Sequence, residues 1–398
     1  MRTIELIPLP LEIGDGYFKR ICEINRFSGD NKESTKEFWI RVEHQVPEGF
    51  DETDCSAYLL AMIFDAMAEN RNIVIRGAVD RALLMNLTEF MAAWSVWLPD
   101  SYSFVDIKVD LVIEKTPVNN KAVCAYSGGV DATFTVNRHV NKTFGFASLD
   151  LSAAVLVHGF DIDLDNTSDF DIAFERCKQT LKDVGIPLIK MSTNYRKISP
   201  ISWEHSVAAL ISSALSSVES LGSYGLIASS EPYDALVLPW GTSPMTEHLL
   251  SSSSFRIIHD GADNNRTEKV SKLAQWPQGV KDLRVCWEGE NNQQNCGKCE
   301  KCVRTKLNFL ASGQEIPDIF DKPGIEMISN TILRTDMSVS EWGTLVATAK
   351  SNKVDAPWVK EARKLIFKSK VLNKVLPGDG KLRYKVRRLL IALGIHKA

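Results

Sequence analysis

Between Lys121 and Ala228 the chain alternates short apolar runs with longer amphipathic stretches. That alternation limits the fold more than any other feature. Ala122 to Tyr126 reads as a strand, and a helix should begin at about Asp131. Ala153 to His158 and Pro187 to Met191 read as further strands, with a helix from about Asp169 to Val184 between them. A long helix over about Trp203 to Leu221 precedes a fourth strand, Tyr224 to Ala228. Strands that alternate with helices pair side by side in one direction, so the expectation is an α/β fold: a parallel sheet with helices on both faces. Ligands of such sheets bind at the carboxyl ends of the strands.

The first of these strands runs into Ser127-Gly128-Gly129-Val130-Asp131-Ala132-Thr133. Adjacent glycines let the backbone turn sharply and bring its N–H groups toward an anion. The following helix would aim its positive end at the same place. Ser127 and Thr133 are candidate hydroxyl donors, and Asp131 is the natural ligand for a magnesium ion. An ordinary strand-turn-helix corner also uses Ser-Gly-Gly. Other candidates fall after the next strands: His158-Gly159-Phe160-Asp161-Ile162-Asp163, then Thr193-Asn194. Further on come Glu204, His205, Gly241 and the serine run Ser251 to Ser254, which reads as a mobile loop or lid. His259-Asp260-Gly261-Ala262-Asp263 reads as a polar turn offering His259, Asp260 and Asp263. Arg266 to Leu273 begins another amphipathic helix, with Arg266 and Lys269 on one face as phosphate or substrate contacts.

Cys286, Cys296, Cys299 and Cys302 place four of the eight cysteines within 17 residues. Four thiolates at this spacing suit a closed tetrahedral zinc site, and an iron–sulfur cluster is the competing reading. Cys22, Cys55, Cys124 and Cys177 are scattered and expected to be structural. A cysteine cluster of this kind suits a reducing cytoplasm and metal rather than disulfides.

At 398 residues the chain has room for two or three domains. No apolar run approaches the ~20 residues of a membrane span, and the start, with Glu5 so early, lacks a signal-peptide core. The expected division is an amino-terminal α+β domain over 1–118, an α/β domain with the cysteine knuckle over 119–325, and a basic helical region over 326–398. Within 1–118 the strands are expected at 37–43, 72–77 and 105–113, with helices at 56–69 and 82–97. Lys350 to Ala398 holds 14 Lys and Arg against 3 Asp and Glu, while the whole chain carries −3. Lys381 to Leu390 can form a basic amphipathic helix, a surface for nucleic acid, an anionic membrane or an acidic protein partner.

The order of these pieces resembles the 7-cyano-7-deazaguanine synthases of the PP-loop ATP pyrophosphatase superfamily. The resemblance rests on Ser127 to Asp131, the helix at Arg266 to Leu273 and the four cysteines, and covers roughly residues 121 to 312. It implies an adenine nucleotide alpha hydrolase-like, Rossmann-like fold, with ATP and magnesium held at Ser127, Gly128, Gly129, Val130, Asp131 and Thr133. His158, Gly159, Asp161, Gly241 and Arg266 are the further nucleotide-contact candidates, and Ser127, Asp131 and Lys269 the catalytic ones. It implies structural zinc on the cysteines, and a homodimer is common among such relatives. In that family a carboxylate is adenylated by ATP, ammonia displaces AMP, and the amide is activated again and dehydrated to a nitrile. The chain departs from the pattern in reading Asp131-Ala132 where the family has Asp-Ser. It also adds a long amino-terminal region and a basic carboxyl-terminal one, and its His158-to-Asp161 and Trp203-Glu204-His205 segments have no obvious counterpart in the synthases. With Arg2 at the second position there is no amino-terminal cysteine nucleophile for a glutaminase, so ammonia would be free or partner-supplied. The expectation is therefore a cytoplasmic ATP-dependent ligase acting on a small carboxylate. Its rivals are a PP-loop tRNA sulfur-transfer enzyme and a non-catalytic nucleotide- or partner-binding module.

Overall fold

The computed structural model describes residues 2–286, 295–320, 325–333 and 335–375. The basic stretch Lys381 to Leu390 lies outside the described residues. The chain divides into two compact units, one built from Met1–Ser230 with Leu238–Gly261, the other from Glu231–Val237 with Ala262–Ala398.

The first unit holds a single sheet whose ten strands, among the described residues, are β1 (Arg2–Gly14), β2 (Tyr17–Ser28), β3 (Asn31–Val42), β4 (Asn72–Asp80), β5 (Ile107–Ile113), β6 (Lys121–Ala125), β7 (Asp150–His158), β8 (Leu188–Thr193), β9 (Tyr224–Ala228) and β10 (Arg256–Asp260). Their spatial order is β10-β9-β6-β7-β8-β3-β2-β1-β4-β5. Strands β6 to β10 pair in parallel, as the alternation requires. The pairs β1–β4 and β4–β5 are also parallel.

The boundary expected at 118 is not where the units divide. Strand β3 pairs antiparallel with β8 through Ile40 opposite Thr193 and Val42 opposite Met191, so the amino-terminal strands extend the sheet instead of forming a separate body. Side chains secure that seam. Thr193 Oγ1 donates to the Trp39 carbonyl at 2.8 Å, and Asn194 receives the Trp39 N–H at 2.9 Å while donating to the Glu37 carbonyl at 2.8 Å. Thr193 and Asn194, grouped with a ligand crevice on sequence grounds, thus prolong the strand pairing where β8 ends.

Among the described residues six α-helices accompany the sheet: α1 (Ser56–Glu69), α2 (Arg81–Trp97), α3 (Val130–Val140), α4 (Thr167–Asp183), α5 (Tyr195–Ile198) and α6 (Trp203–Ser216). Every residue of α1 from Ser56 to Met67 is buried, and the one charged residue among them, Asp65, is met by Tyr195, Ser199 and Arg26. Helix α2 begins where Asp80 accepts the Leu83 N–H, and it buries the stripe Leu83, Leu87, Phe90, Met91 and Trp94. Helix α6 stops at Ser216, short of the expected Leu221.

The second unit contains α7 (Arg266–Leu273), α8 (Pro277–Lys281), α9 (Glu300–Ala311), α10 (Ile325–Asn330), α11 (Asp336–Ser351) and α12 (Pro357–Val375). A capping box between Asn265 and Glu268 starts α7. Val303, Leu307, Trp342, Leu345, Ala362 and Leu365 belong to one apolar core, and the Trp342 indole N–H reaches Glu300 at 2.6 Å.

Candidate functional site

Strand β6 ends at Ala125, and the next residues make the turn the glycines foretold. Gly128 has φ +74°, a left-handed conformation that a side chain would strain. Gly129 is the N-cap of α3, with extended backbone and no side chain to cap the first turn. The first turn therefore has no side-chain cap from its N-cap residue, at the positive end of an 11-residue helix. The Ser127 hydroxyl accepts the Gly129 N–H at 3.4 Å, closing the loop on itself. Asp131 is the acidic residue of the first turn and is half-buried.

Thr133 does not add its hydroxyl to this loop. It is fully buried, and its Oγ1 meets the Tyr126 hydroxyl at 3.3 Å on the core side of α3. Neighbouring residues of a strand point to opposite faces, so Tyr126 and Asp260, in equivalent positions past parallel registers, both meet α3. Asp260 accepts from Thr135 Oγ1 at 2.6 Å and from His139 Nε2 at 3.2 Å, with Arg138 Nη1 at 3.6 Å. The Leu149 N–H donates to His139 Nδ1 at 2.9 Å, which leaves the neutral ring's proton on Nε2, facing Asp260. Burial alone would raise the Asp260 pKa, but the His139 hydrogen bond and the Arg138 charge hold it below the usual value. Asp260 is an anchor for the loop-bearing helix, and His259 and Asp260 lie on a strand rather than in a polar turn. The sequence reading missed Thr135, Arg138 and His139. The apolar run Ile257-Ile258 ahead of His259 was the available sign of that strand.

His259 points to the opposite face, where its Nδ1 lies 3.0 Å from Glu247 Oε2. Burial raises the Glu247 pKa against the pull of His259. The serine run is likewise no lid. The Ser253 N–H and hydroxyl both reach Asp80, Ser251 receives Asn86 at 2.9 Å through its carbonyl, and Ser254 donates to Glu219 at 3.1 Å.

On the neighbouring strand β7, His158 Nε2 donates to the Asp163 carbonyl at 2.8 Å, and the ring stacks on Phe170 with centroids 4.3 Å apart. Burial lowers its pKa. Gly159 has φ +95°, and a Cβ there would sit 2.1 Å from the Thr193 carbonyl oxygen. The 158–163 loop is thus built around its own backbone and packed on the end of β8. Asp161 is half-buried within it and has interactions of its own. Gly241 packs against the first turn of α6, where a Cβ would lie 2.5 Å from the Glu204 carbonyl oxygen. His205 is held in an aromatic cluster: Tyr102 OH lies 2.8 Å from Nδ1, and the ring abuts Trp94. Ser127, Gly128, Gly129, Val130 and Asp131, with Gly159 and Asp161, therefore share the carboxyl ends of adjacent parallel strands.

The second unit carries the cysteines and α7. Lys269 is buried and Arg266 half-buried, each with partners of its own. The sulfurs of Cys286, Cys296, Cys299 and Cys302 all lie within 4.8 Å of one another, a group able to hold a metal ion. Gly297 at φ +71° turns the knuckle, and the Lys298 and Cys299 amides donate to the Cys296 sulfur at 3.5 and 3.3 Å. Cys299 caps α9 and Cys302 rides its first turn. Asn295 braces the segment leading to Cys286: its side chain accepts the Val285 N–H and donates to the Leu283 carbonyl, both at 2.9 Å. The buried Lys306 ammonium holds the Gly297 carbonyl at 3.0 Å. Hydrogen bonds from Cys299 and Cys302 pull the Cys286 thiol well below its ordinary pKa, while Cys299 is pushed up to about 12 by its bond to Cys286. Cys302 is pushed up in the same way by its contacts with Cys286 and Cys299, so of these three thiols only Cys286 is biased toward thiolate, the form that binds metal. The other four cysteines are buried and unbridged.

Comparison with family models, with curated proteins and with solved structures finds no match to this chain, so its chemistry has to be argued from its own residues.

Proposed function

We propose that this chain is an ATP-dependent carbon–nitrogen ligase of the PP-loop kind, related to the 7-cyano-7-deazaguanine synthases. One observation carries the reading: the left-handed Gly128 and the uncapped amino end of α3 meet at the carboxyl end of a parallel strand. Backbone amides in that arrangement bind phosphate without needing any one side chain.

In this reading the β- and γ-phosphates of ATP rest on residues 127–131. The substrate carboxylate attacks the α-phosphorus, the bond to the bridging oxygen breaks, and pyrophosphate leaves. Ammonia then attacks the acyl carbon of the adenylate, AMP departs with the C–O electron pair, and the amine proton is lost to solvent. A magnesium ion, for which Asp131 is the natural oxygen ligand, would neutralise charge on the departing pyrophosphate. The amides and the helix end stabilise the same charge, and holding acid and nucleotide together supplies proximity.

The four-cysteine group fits a single zinc ion. Tetrahedral Zn–S bonds of about 2.3 Å place the sulfurs ~3.8 Å apart, close to the 3.5 and 3.9 Å of the Cys286–Cys299 and Cys296–Cys302 pairs. An iron–sulfur cluster would have to spread them. Four thiolates leave no open position, so the metal here braces the fold rather than reacting.

The test is product identity. The purified chain is incubated with Mg-ATP, ammonium and a small-molecule extract, with Asp131→Ala as control. Extract-dependent AMP and pyrophosphate that vanish in the variant are expected. ADP and phosphate, or AMP release indifferent to Asp131, would overturn the proposal.

A further inference from the structure

Helix α12 divides cleanly into two faces. Trp358, Val359, Ala362, Leu365 and Ser369 are buried, and α12 packs on α10 and α11. The opposite face is exposed and carries Lys360, Arg363, Lys364, Lys368 and Lys370 around Phe367 and Val371. At 3.6 residues per turn these side chains fall within an arc of roughly 160°. Phe367 is 71% exposed and Val371 46%. Glu361 is the helix's single acid, and it answers one cation, Lys364, at 2.7 Å. The sequence that follows, 376–398, adds six Lys and Arg against one Asp, so its net charge cannot neutralise the face.

We propose that this face of α12 binds single-stranded RNA. Successive cations at Lys360, Lys364 and Lys368 stand about one turn apart, about 5–6 Å, forming a row that winds gently round the outer face and along which a phosphate backbone can lie. Phe367, exposed beside Arg363, Lys364 and Lys368, offers a ring on which a base can stack. A membrane is the poorer fit, because a helix lying in a lipid interface buries its apolar side there, and the apolar side of α12 is already in the protein core. The inference does not depend on the ligase reading.

Fluorescence anisotropy of the full chain with a labelled single-stranded RNA of about 20 nucleotides tests it. With about four phosphates neutralised, log affinity should fall with log salt at a slope near −3, roughly 60-fold between 50 and 200 mM. Lys360→Ala with Lys368→Ala should flatten that slope by about 1.4, whereas Phe367→Ala should weaken binding about 5- to 100-fold at unchanged slope. Circular dichroism checks that these surface variants stay folded. No RNA binding at 50 mM salt would overturn the proposal, as would unchanged affinity in both variants or tighter binding to phosphatidylserine-containing vesicles than to RNA.

Discussion

Asp260→Ala should loosen the loop-bearing helix before it unfolds anything else. The substitution removes the acceptor shared by Thr135, His139 and Arg138, whose side chains are buried with it. Breaking one side of a buried charged cluster costs about 3–5 kcal/mol. The low end applies, because the Arg138 guanidinium keeps its place over the Phe144 ring at 3.5 Å. About 3 kcal/mol corresponds to roughly a hundredfold in local opening. Hydrogen exchange followed by mass spectrometry on peptides spanning 126–140 should register that loss of protection. Asp260→Asn should do little better, since its amide can keep Thr135 but sets a donor against the His139 Nε2 proton. The pH dependence has a definite sign. The folded pKa of Asp260 is lowered, so its stabilisation is present above the ordinary Asp value of ~3.9 and is lost as pH falls through the lower folded value. Protection of α3 in the unsubstituted protein should therefore hold at neutral pH and decline only below about pH 4. Exchange rates in 126–140 that change by less than about threefold in Asp260→Ala would refute the anchoring argument.

Gly159→Ala should destabilise the first unit by about 2–5 kcal/mol, because left-handed strain adds to a backbone collision; urea denaturation followed by tryptophan fluorescence measures it. Gly128→Ala places a Cβ at φ +74° and should cost about 1–2 kcal/mol while weakening ATP binding in calorimetry more than Ser127→Ala does. Metal analysis should find one zinc per chain, lost in Cys302→Ser together with helical signal, whereas a visible absorption band with bound iron would reassign the site. Lys115→Met should cost about 2–3 kcal/mol at pH 7, since Lys115 bridges Asp54 at 2.7 Å and Glu219 at 2.5 Å and is itself one-fifth exposed.

The parallel half of the sheet was legible because each of its strands is a short apolar run followed by an amphipathic helix, and both signals are local. Strands β1 and β2 went unread. Pro8 and Pro10 interrupt the alternation of the first segment, and the structure accommodates them beside a register shift between Leu9 and Glu12. The seam between β3 and β8 joins residues some 150 positions apart, a pairing that no local pattern announces. The clustering of the four cysteines could be read from spacing alone. Their supports could not, because Asn295 and Lys306 are ordinary polar residues until the fold shows which carbonyls they hold.

The residues that looked most chemical in the sequence are largely those the fold engages. Thr133, His158, Asn194, His205 and Asp260 all close contacts within the first unit. Polar side chains near strand ends are needed wherever a sheet stops and its last backbone groups require partners, so such residues gather at those ends whether or not a ligand binds there. The loop at 127–131 differs in kind. Its distinguishing feature is a glycine turn delivering main-chain donors to the end of an uncapped helix, an arrangement that leaves those donors without a side-chain cap. Side-chain identity is then a weak guide to this site and backbone geometry a strong one. A phosphate-bearing substrate is the class of ligand that such geometry is suited to hold.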